Sequence, residues 1–104
     1  MDKKTAKTIN KFSSKLKKKF APTKLILFGS RSRGDNFKQS DFDFILVSKK
    51  FNGIPFIIRA SKIYDYWDEE VDLEIICYTP EEFKRKKNQK GLVKKAVEEG
   101  IEII

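Results

Sequence analysis

Histidine is absent from this sequence of 104 residues, and cysteine occurs once, at Cys77. Without histidine the chain cannot build a Ser-His-Asp or Cys-His catalytic group, or the usual zinc sites. Any chemistry must therefore use carboxylates, basic side chains, hydroxyls and an oxygen-preferring metal such as Mg²⁺. A lone cysteine also excludes an internal disulfide, which fits a reducing cytoplasm.

Long apolar runs are missing too, and acidic residues are in the minority. No segment approaches the length of a membrane-spanning helix, and the lysine-rich start has no signal-peptide core. We therefore expect a soluble, cytoplasmic protein that does not associate with membranes. The 23 basic and 15 acidic residues give a formal net charge of +8. Such a charge favours polyanionic partners: nucleotides, nucleic acid or an acidic protein.

Hydrophobic periodicity divides the chain into alternating helices and strands within a single domain, residues 1–104. The segment Thr79-Pro80-Glu81-Glu82 predicts a capped helix start. We expect helices over 2–20, 56–68, 79–90 and 92–99, a helical turn over 30–34, strands over 24–28, 42–48 and 71–78, and a short terminal strand over 101–104. This order predicts an α/β (α+β) fold with a small mixed β-sheet flanked by helices.

Gly29 and Ser30 directly follow the first strand. Glycine lets the backbone turn sharply and lets a phosphate approach, and a serine at the start of a helical turn offers its hydroxyl and free N–H groups to an anion. The alternative is a plain turn that leaves a buried strand, because this dipeptide is common. Arg31 and Arg33 lie close to the same position, where a guanidinium matches phosphate oxygens. We expect only one of the two to point inward, and we favour Arg33; the alternative is a solvated basic loop.

Asp41 and Asp43 open the second strand and, being two residues apart, project to one face. Two like charges that close repel each other, and a divalent cation is the usual remedy. The third strand carries Asp72 and Glu74 with the same spacing, and one of them should reach the same metal. An exposed strand face is the alternative explanation for these acids.

The motifs GSRSRG at 29–34 and SDFD at 40–43 together resemble those of the minimal nucleotidyltransferases of prokaryotes, which belong to the superfamily typified by DNA polymerase β. Ser32 replaces the alanine of the usual signature, a small residue for a small one. The segment CYTPEEF at 77–83 is similar to the one that leaves the third strand in archaeal-type members. The resemblance covers nearly the whole chain and implies a polymerase β-like nucleotidyltransferase fold.

The resemblance also implies roles for individual residues. Gly29 and Ser30 would contact the β- and γ-phosphates of the incoming nucleotide, which the family implies to be ATP. The carboxylates of Asp41, Asp43 and Glu74 would ligate two Mg²⁺ ions. Small family members often have aspartate in place of Glu74, so Asp72 is the alternative third ligand. The implied reaction transfers AMP to an acceptor hydroxyl.

The implied biology is that of an antitoxin whose partner is a helical HEPN-family protein, often a toxic ribonuclease, which is modified on a tyrosine. Two other functions remain open: a non-catalytic binding subunit, and a basic nucleic-acid-binding module that uses the lysine-rich first helix and the 84–90 run. For those lysines a solvated helix face is the simpler explanation. Homo-oligomerisation is also left open.

Overall fold

A computed structural model describes all 104 residues, and its helices and strands alternate in the expected order. The strands are β1 (Lys24–Phe28), β2 (Phe42–Val47), β3 (Leu73–Tyr78) and β4 (Ile101–Glu102). The helices are α1 (Lys3–Phe20), α2 (Ser30–Arg33), α3 (Phe56–Ile63), α4 (Pro80–Lys86) and α5 (Leu92–Glu99), with single 3-10 turns at Lys49–Phe51 and Tyr64–Tyr66. The predicted fold class, a mixed sheet flanked by helices, is confirmed.

The four strands form one sheet in the order β3-β2-β1-β4. β1 runs antiparallel to both β2 and β4, whereas β2 and β3 are parallel. The carboxyl end of β1 therefore lies beside the amino ends of β2 and β3. We call this the site end of the sheet, and the opposite end, where β2 and β3 finish, the far end.

Helices cover both faces of the sheet. One face carries the larger core, where Phe12 and Leu16 of α1 pack on alternate residues of the central strands, among them Leu27 and Phe44. The other face carries a smaller core in which α4 and α5 cover residues such as Ile45. Coverage on both sides explains why the central strands are nearly continuous apolar runs rather than alternating ones.

Two predicted boundaries between α3 and β3 differ from the structure. The helix α3 ends at Ile63 instead of 68, and a single 3-10 turn follows. The indole N–H of Trp67 donates to the Val71 carbonyl oxygen at 2.8 Å. That carbonyl is therefore bonded within the turn before β3, and β3 begins at Leu73 instead of 71.

The start of α4 confirms the predicted cap. The Thr79 hydroxyl accepts from the Glu82 N–H, and the Glu82 carboxylate accepts from the Thr79 N–H at 2.8 Å. The helix ends at Lys86, several residues before the predicted 90, since the 87–91 segment forms a turn ahead of α5. None of the helices combines the length and the apolar character needed to cross a membrane.

Candidate functional site

A transverse row of residues crosses three strands at the site end. Phe28 of β1 lies opposite Asp43 of β2, and Asp43 lies opposite Glu74 of β3. Asp43 and Glu74 point to the face of the α4–α5 core but lie beyond the apolar residues of that core. The register therefore places two of the predicted acids side by side, one residue away from the Gly29 turn.

Gly29 is held by its backbone and by its neighbour. Its φ of 77° and ψ of −160° fall in a region that is essentially restricted to glycine. A Cβ at this position would overlap with Asp43 Oδ2 and would lie 3.2 Å from Asp43 Cγ. The Asp43 carboxylate thus sits directly over the Gly29 Cα. The Gly-Ser turn and the Asp43 carboxylate are therefore in direct contact.

The start of α2 leaves donors free. The N–H groups of Ser30 and Arg31 have no intrahelical acceptor, as expected for the first residues of a helix, and make no other protein hydrogen bond. The Ser30 hydroxyl is likewise unbonded and half-buried. The Ser32 hydroxyl, in contrast, donates to the Gly29 carbonyl oxygen at 2.8 Å. Serine in place of the alanine therefore reinforces the turn without occupying the anion position.

The pKa of Asp43 is affected by the negative charges that lie close to it. Burial raises its pKa to about 6, and the neighbouring Glu74 carboxylate adds to the rise by its charge and by a side-chain hydrogen bond. Asp41 contributes a further increase, whereas the positive charge of Arg33 acts in the opposite direction. An acid held close to other acids binds either a proton or a cation. The position is therefore chemically suited to a hard divalent ion.

The third carboxylate is not in place. No three His, Cys, Asp or Glu side chains converge closely enough to form a metal-binding group. Asp41 directly precedes β2 and is half-buried, and its side chain makes no hydrogen bond or ion pair within the protein. Asp72, the alternative ligand, precedes β3 and is exposed; its carbonyl oxygen accepts from the Phe42 N–H at 3.0 Å. Of the two candidates for the third carboxylate, Glu74 is the one opposite Asp43 in the strand register.

The two arginines of the motif have different surroundings. Arg33 is exposed, donates to Asp35 Oδ2 at 3.1 Å, and is near enough to influence Asp43. Arg31 is only 7% exposed, and its guanidinium bonds to protein oxygens on the other side of the turn. The expectation that Arg33 is the arginine that points inward is therefore wrong: Arg31 is buried and Arg33 is exposed. The hydrogen bonds of Arg31 within the protein also do not favour the predicted contact between Arg31 and a phosphate.

The profile of the nucleotidyltransferase domain family matches residues 9–103. The chain belongs to this family. No curated protein matches the sequence. Among solved structures, a proposed nucleotidyltransferase from Sulfolobus solfataricus is 20% identical with a TM-score of 0.59, and the match covers 77% of this chain and 74% of that one.

Two BolA structures from Arabidopsis thaliana are similar as well. BolA1 is 25% identical with a TM-score of 0.59, over 72% of this chain and 94% of that one. The BolA domain of SufE1 is 23% identical with a TM-score of 0.57, over 79% of this chain and 98% of that one. The fold is thus shared with proteins of other names, and the chemistry of this nucleotidyltransferase domain must be inferred from its site.

A cavity of about 1050 Å³ lies away from the Asp43–Glu74 pair. It is an open polar groove between the start of α1, the 36–39 segment and the 68–72 segment, and it shares Arg31 and Asp72 with the surroundings of the site. Asp43, Glu74 and Ser30 are not among its lining residues. This groove is therefore separate from the Asp43–Glu74 pair.

Sequence reasoning missed the polar contacts behind the turn. Thr5 is 2% exposed and its hydroxyl accepts from Arg31 Nη1 at 3.1 Å. One signal was available: Thr5 lies at helical spacing from Ile9 and Phe12 on the apolar face of α1. This spacing predicts that the Thr5 side chain is buried. Its partner could not have been identified, because the two residues are 26 positions apart.

Proposed function

We propose that this domain transfers AMP from ATP to an acceptor hydroxyl, with Asp41, Asp43 and Glu74 holding Mg²⁺. The observation that carries the proposal is the Asp43 carboxylate over Gly29, with Glu74 opposite it on β3 and the free donors of Ser30 beside it. The donor set fits magnesium in its chemistry, since it is all carboxylate oxygen. Asp41, which lies near enough to raise the pKa of Asp43, would complete the set.

The residues of the chain have separate tasks in this reaction. The N–H groups and hydroxyl at the start of α2 bind the phosphates, and Arg33 offsets the negative charge that grows on the departing pyrophosphate. The acceptor oxygen bonds to the α-phosphorus as the bond to the pyrophosphate breaks, and the Glu74 carboxylate accepts the hydroxyl proton. When bound, Mg²⁺ supplies charge neutralisation and makes the acceptor hydroxyl more acidic.

We further propose that the acceptor belongs to a helical partner protein of the HEPN type. An exposed apolar surface supports this: Phe56, Ile57 and Ile58 at the start of α3 are 53%, 88% and 44% exposed, and Tyr64 is 47% exposed. Contiguous exposed side chains of this size are typical of protein-binding surfaces. The net charge of +8 favours an acidic protein over a second copy of this chain.

Labelling tests the activity. The domain is incubated with Mg²⁺, α-labelled ATP and the product of the adjacent gene, and transfer of label to that protein is measured. We expect label that requires Mg²⁺ and is lost in Asp43→Asn and Glu74→Gln. The controls Asp65→Asn and Glu98→Gln replace exposed acids of the same types and should label normally. Label that persists in Asp43→Asn, or no label with any neighbouring protein, contradicts the proposal.

A second function is favoured by one observation, the incomplete convergence of the three acids. The domain would then neutralise its partner by binding alone. Ile57→Glu should weaken binding at least about tenfold, because a charge replaces an apolar contact. Val97→Glu on α5, where Val97 is 42% exposed, is the matched control and should bind normally. Neutralisation that survives Asp43→Asn but not Ile57→Glu identifies the binding function, whereas RNA affinity with a steep salt dependence would instead identify a nucleic-acid module.

A further inference from the structure

The guanidinium of Arg31 is built into the protein behind the Gly-Ser turn. Its Nε and Nη2 donate to the Ser40 carbonyl oxygen at 3.2 and 2.9 Å, and Nη2 also donates to the Lys38 carbonyl oxygen at 3.1 Å. Its Cζ lies 4.1 Å from the centroid of the Phe42 ring. Nearly all donors of this side chain are thus used within the protein.

The buried charge is compensated without a direct ion pair. Arg31 Nη1 donates to the Thr5 hydroxyl at 3.1 Å, and that hydroxyl donates to Asp2 Oδ2 at 3.1 Å. Asp2 is also the cap of α1, since its Oδ1 accepts from the Thr5 N–H at 2.7 Å. The cap of the first helix, the turn and the loop before β2 are therefore one hydrogen-bonded network.

The carbonyls that Arg31 binds belong to a segment with few other anchors. We call residues 35–40 the site loop. Phe37 of this loop is 82% exposed, so no apolar side chain fixes it. Within the loop, the Ser40 N–H donates to the Phe37 carbonyl oxygen at 3.1 Å, and the Phe37 N–H donates to the Ser40 hydroxyl at 2.9 Å. These bonds shape the loop but do not attach it to the rest of the protein.

We propose that Arg31 is a positioning residue that fixes the site loop, and with it the backbone of Asp41, relative to the phosphate-binding turn. Arg31 directly follows Ser30, and Ser40 directly precedes Asp41. Together with the Asp35 N–H, which donates to the Ser30 carbonyl oxygen at 3.2 Å, this side chain links the phosphate donors to the segment that leads into the first carboxylate. This inference rests on the proposed function, because it concerns the geometry of the same site.

The contrast with Arg33 strengthens the inference. Arg33 belongs to the same short helix but is exposed and bonds only to Asp35. A solvated arginine two residues away shows that the motif does not bury its arginines by necessity. Bidentate binding of one carbonyl, with a second carbonyl beside it, requires the planar fork of arginine, which lysine cannot reproduce.

Hydrogen exchange and kinetics on the full chain test the proposal together. Arg31→Lys keeps the charge and removes the fork, Thr5→Val removes one partner, and Arg85→Lys changes an exposed arginine of α4 as the control. We expect the amides of residues 37 and 40 to exchange about tenfold or more faster in Arg31→Lys, while the amides of β1 keep their protection. In the labelling reaction kcat should fall about 10²-fold with the KM for ATP within about threefold, because the acid is misplaced rather than lost. Thr5→Val should show a smaller change of the same kind.

The outcomes separate this inference from the proposed function. A purely structural role would lower the melting temperature of Arg31→Lys and leave kcat unchanged well below that temperature, which would overturn the inference. Unchanged exchange at residues 37 and 40 would overturn it as well. If the wild-type domain transfers no label, the proposed function fails, and the exchange measurement still decides whether Arg31 fixes the loop.

Discussion

Each end of the sheet contains a buried arginine, and the charges of the two arginines are compensated in different ways. At the far end Arg59 is 5% exposed and pairs with Glu82, at 2.5 Å between Nη1 and Oε1. At the site end Arg31 is 7% exposed and bonds to carbonyl and hydroxyl oxygens, with no carboxylate in an ion pair. At the far end the Glu82 carboxylate has a cationic partner, whereas at the site end the Asp43 and Glu74 carboxylates lie next to each other without an ion-pair partner.

The pKa values of the acids show the consequence. Hydrogen bonding from Arg59 lowers the pKa of Glu82, whereas burial and Glu74 raise the pKa of Asp43 to about 6. A matched acid stabilises the fold, and a crowded one destabilises it until a cation or a proton binds. The far end is thus arranged for stability, and the site end keeps its carboxylates available for a ligand.

The largest expected effect comes from removing the crowded charge. Asp43→Asn should lower labelling activity about 10³-fold, the equivalent of about 4 kcal/mol. The same change should raise the free energy of unfolding by about 1 kcal/mol, allowing for solvent screening of the half-exposed carboxyl. Urea unfolding in EDTA, beside the labelling assay, checks both. If Asp43→Asn loses stability as well as activity, the Asp43 carboxylate has a stabilising partner and the prediction is wrong.

The next effect concerns the backbone at the site end. Gly29→Ala should lower the free energy of unfolding by about 3 kcal/mol, because the backbone region excludes a side chain and the new Cβ displaces Asp43. Gly34→Ala is the control: its φ is 79°, but nothing lies within 4 Å of a Cβ there, so about 1 kcal/mol is expected. If urea unfolding shows the same loss of free energy of unfolding in both variants, the contact with Asp43 does not contribute to the loss.

A smaller loss is expected at the far end. Arg59→Met removes the partner of Glu82 and the donors to the carbonyls of Ile54 and Cys77, and should lower the free energy of unfolding by about 2 kcal/mol. Because this end is remote from the carboxylates, kcat should stay within about twofold of wild type below the melting temperature. A large loss of kcat in the folded variant would contradict the division between the two ends.

The smallest expected effect is a difference in the pH dependence of stability between Asp43 at the site end and Glu82 at the far end. Asp43 has a folded pKa near 6, above its ordinary value of 3.8, so its destabilising charge is present above pH 6 and stability rises as the pH falls through 6 toward 3.8. Glu82 behaves oppositely: its stabilising charge is present above its ordinary value of 4.5 and is lost as the pH falls through its lowered pKa. Urea unfolding in EDTA should show a rise of about 1 kcal/mol between pH 7 and 5 that is absent in Asp43→Asn. A rise that persists there would have another source.

Much of the site was accessible from the sequence because it depends on local rules. The period of a strand puts Asp43 on one face, and a glycine is needed where a buried strand turns into a helix. The cap at Thr79 is likewise a local pattern. The role of Arg31 was not accessible, since its partners Thr5 and Ser40 meet it only through tertiary packing. The incomplete approach of Asp41 was not accessible either, because Asp41 lies before β2 and outside the register that aligns Asp43 with Glu74.

The shared register of the central strands has a further consequence. Phe42 and Phe44 belong to the larger core, and Asp43 alternates with them. A slip of β2 by one residue would move both rings to the face of the smaller core and place the acid among the apolar residues of the larger core, which is unfavourable. Hydrophobic packing of Phe42 and Phe44 therefore also enforces the position of Asp43 opposite Glu74, so the site forms correctly whenever the core does.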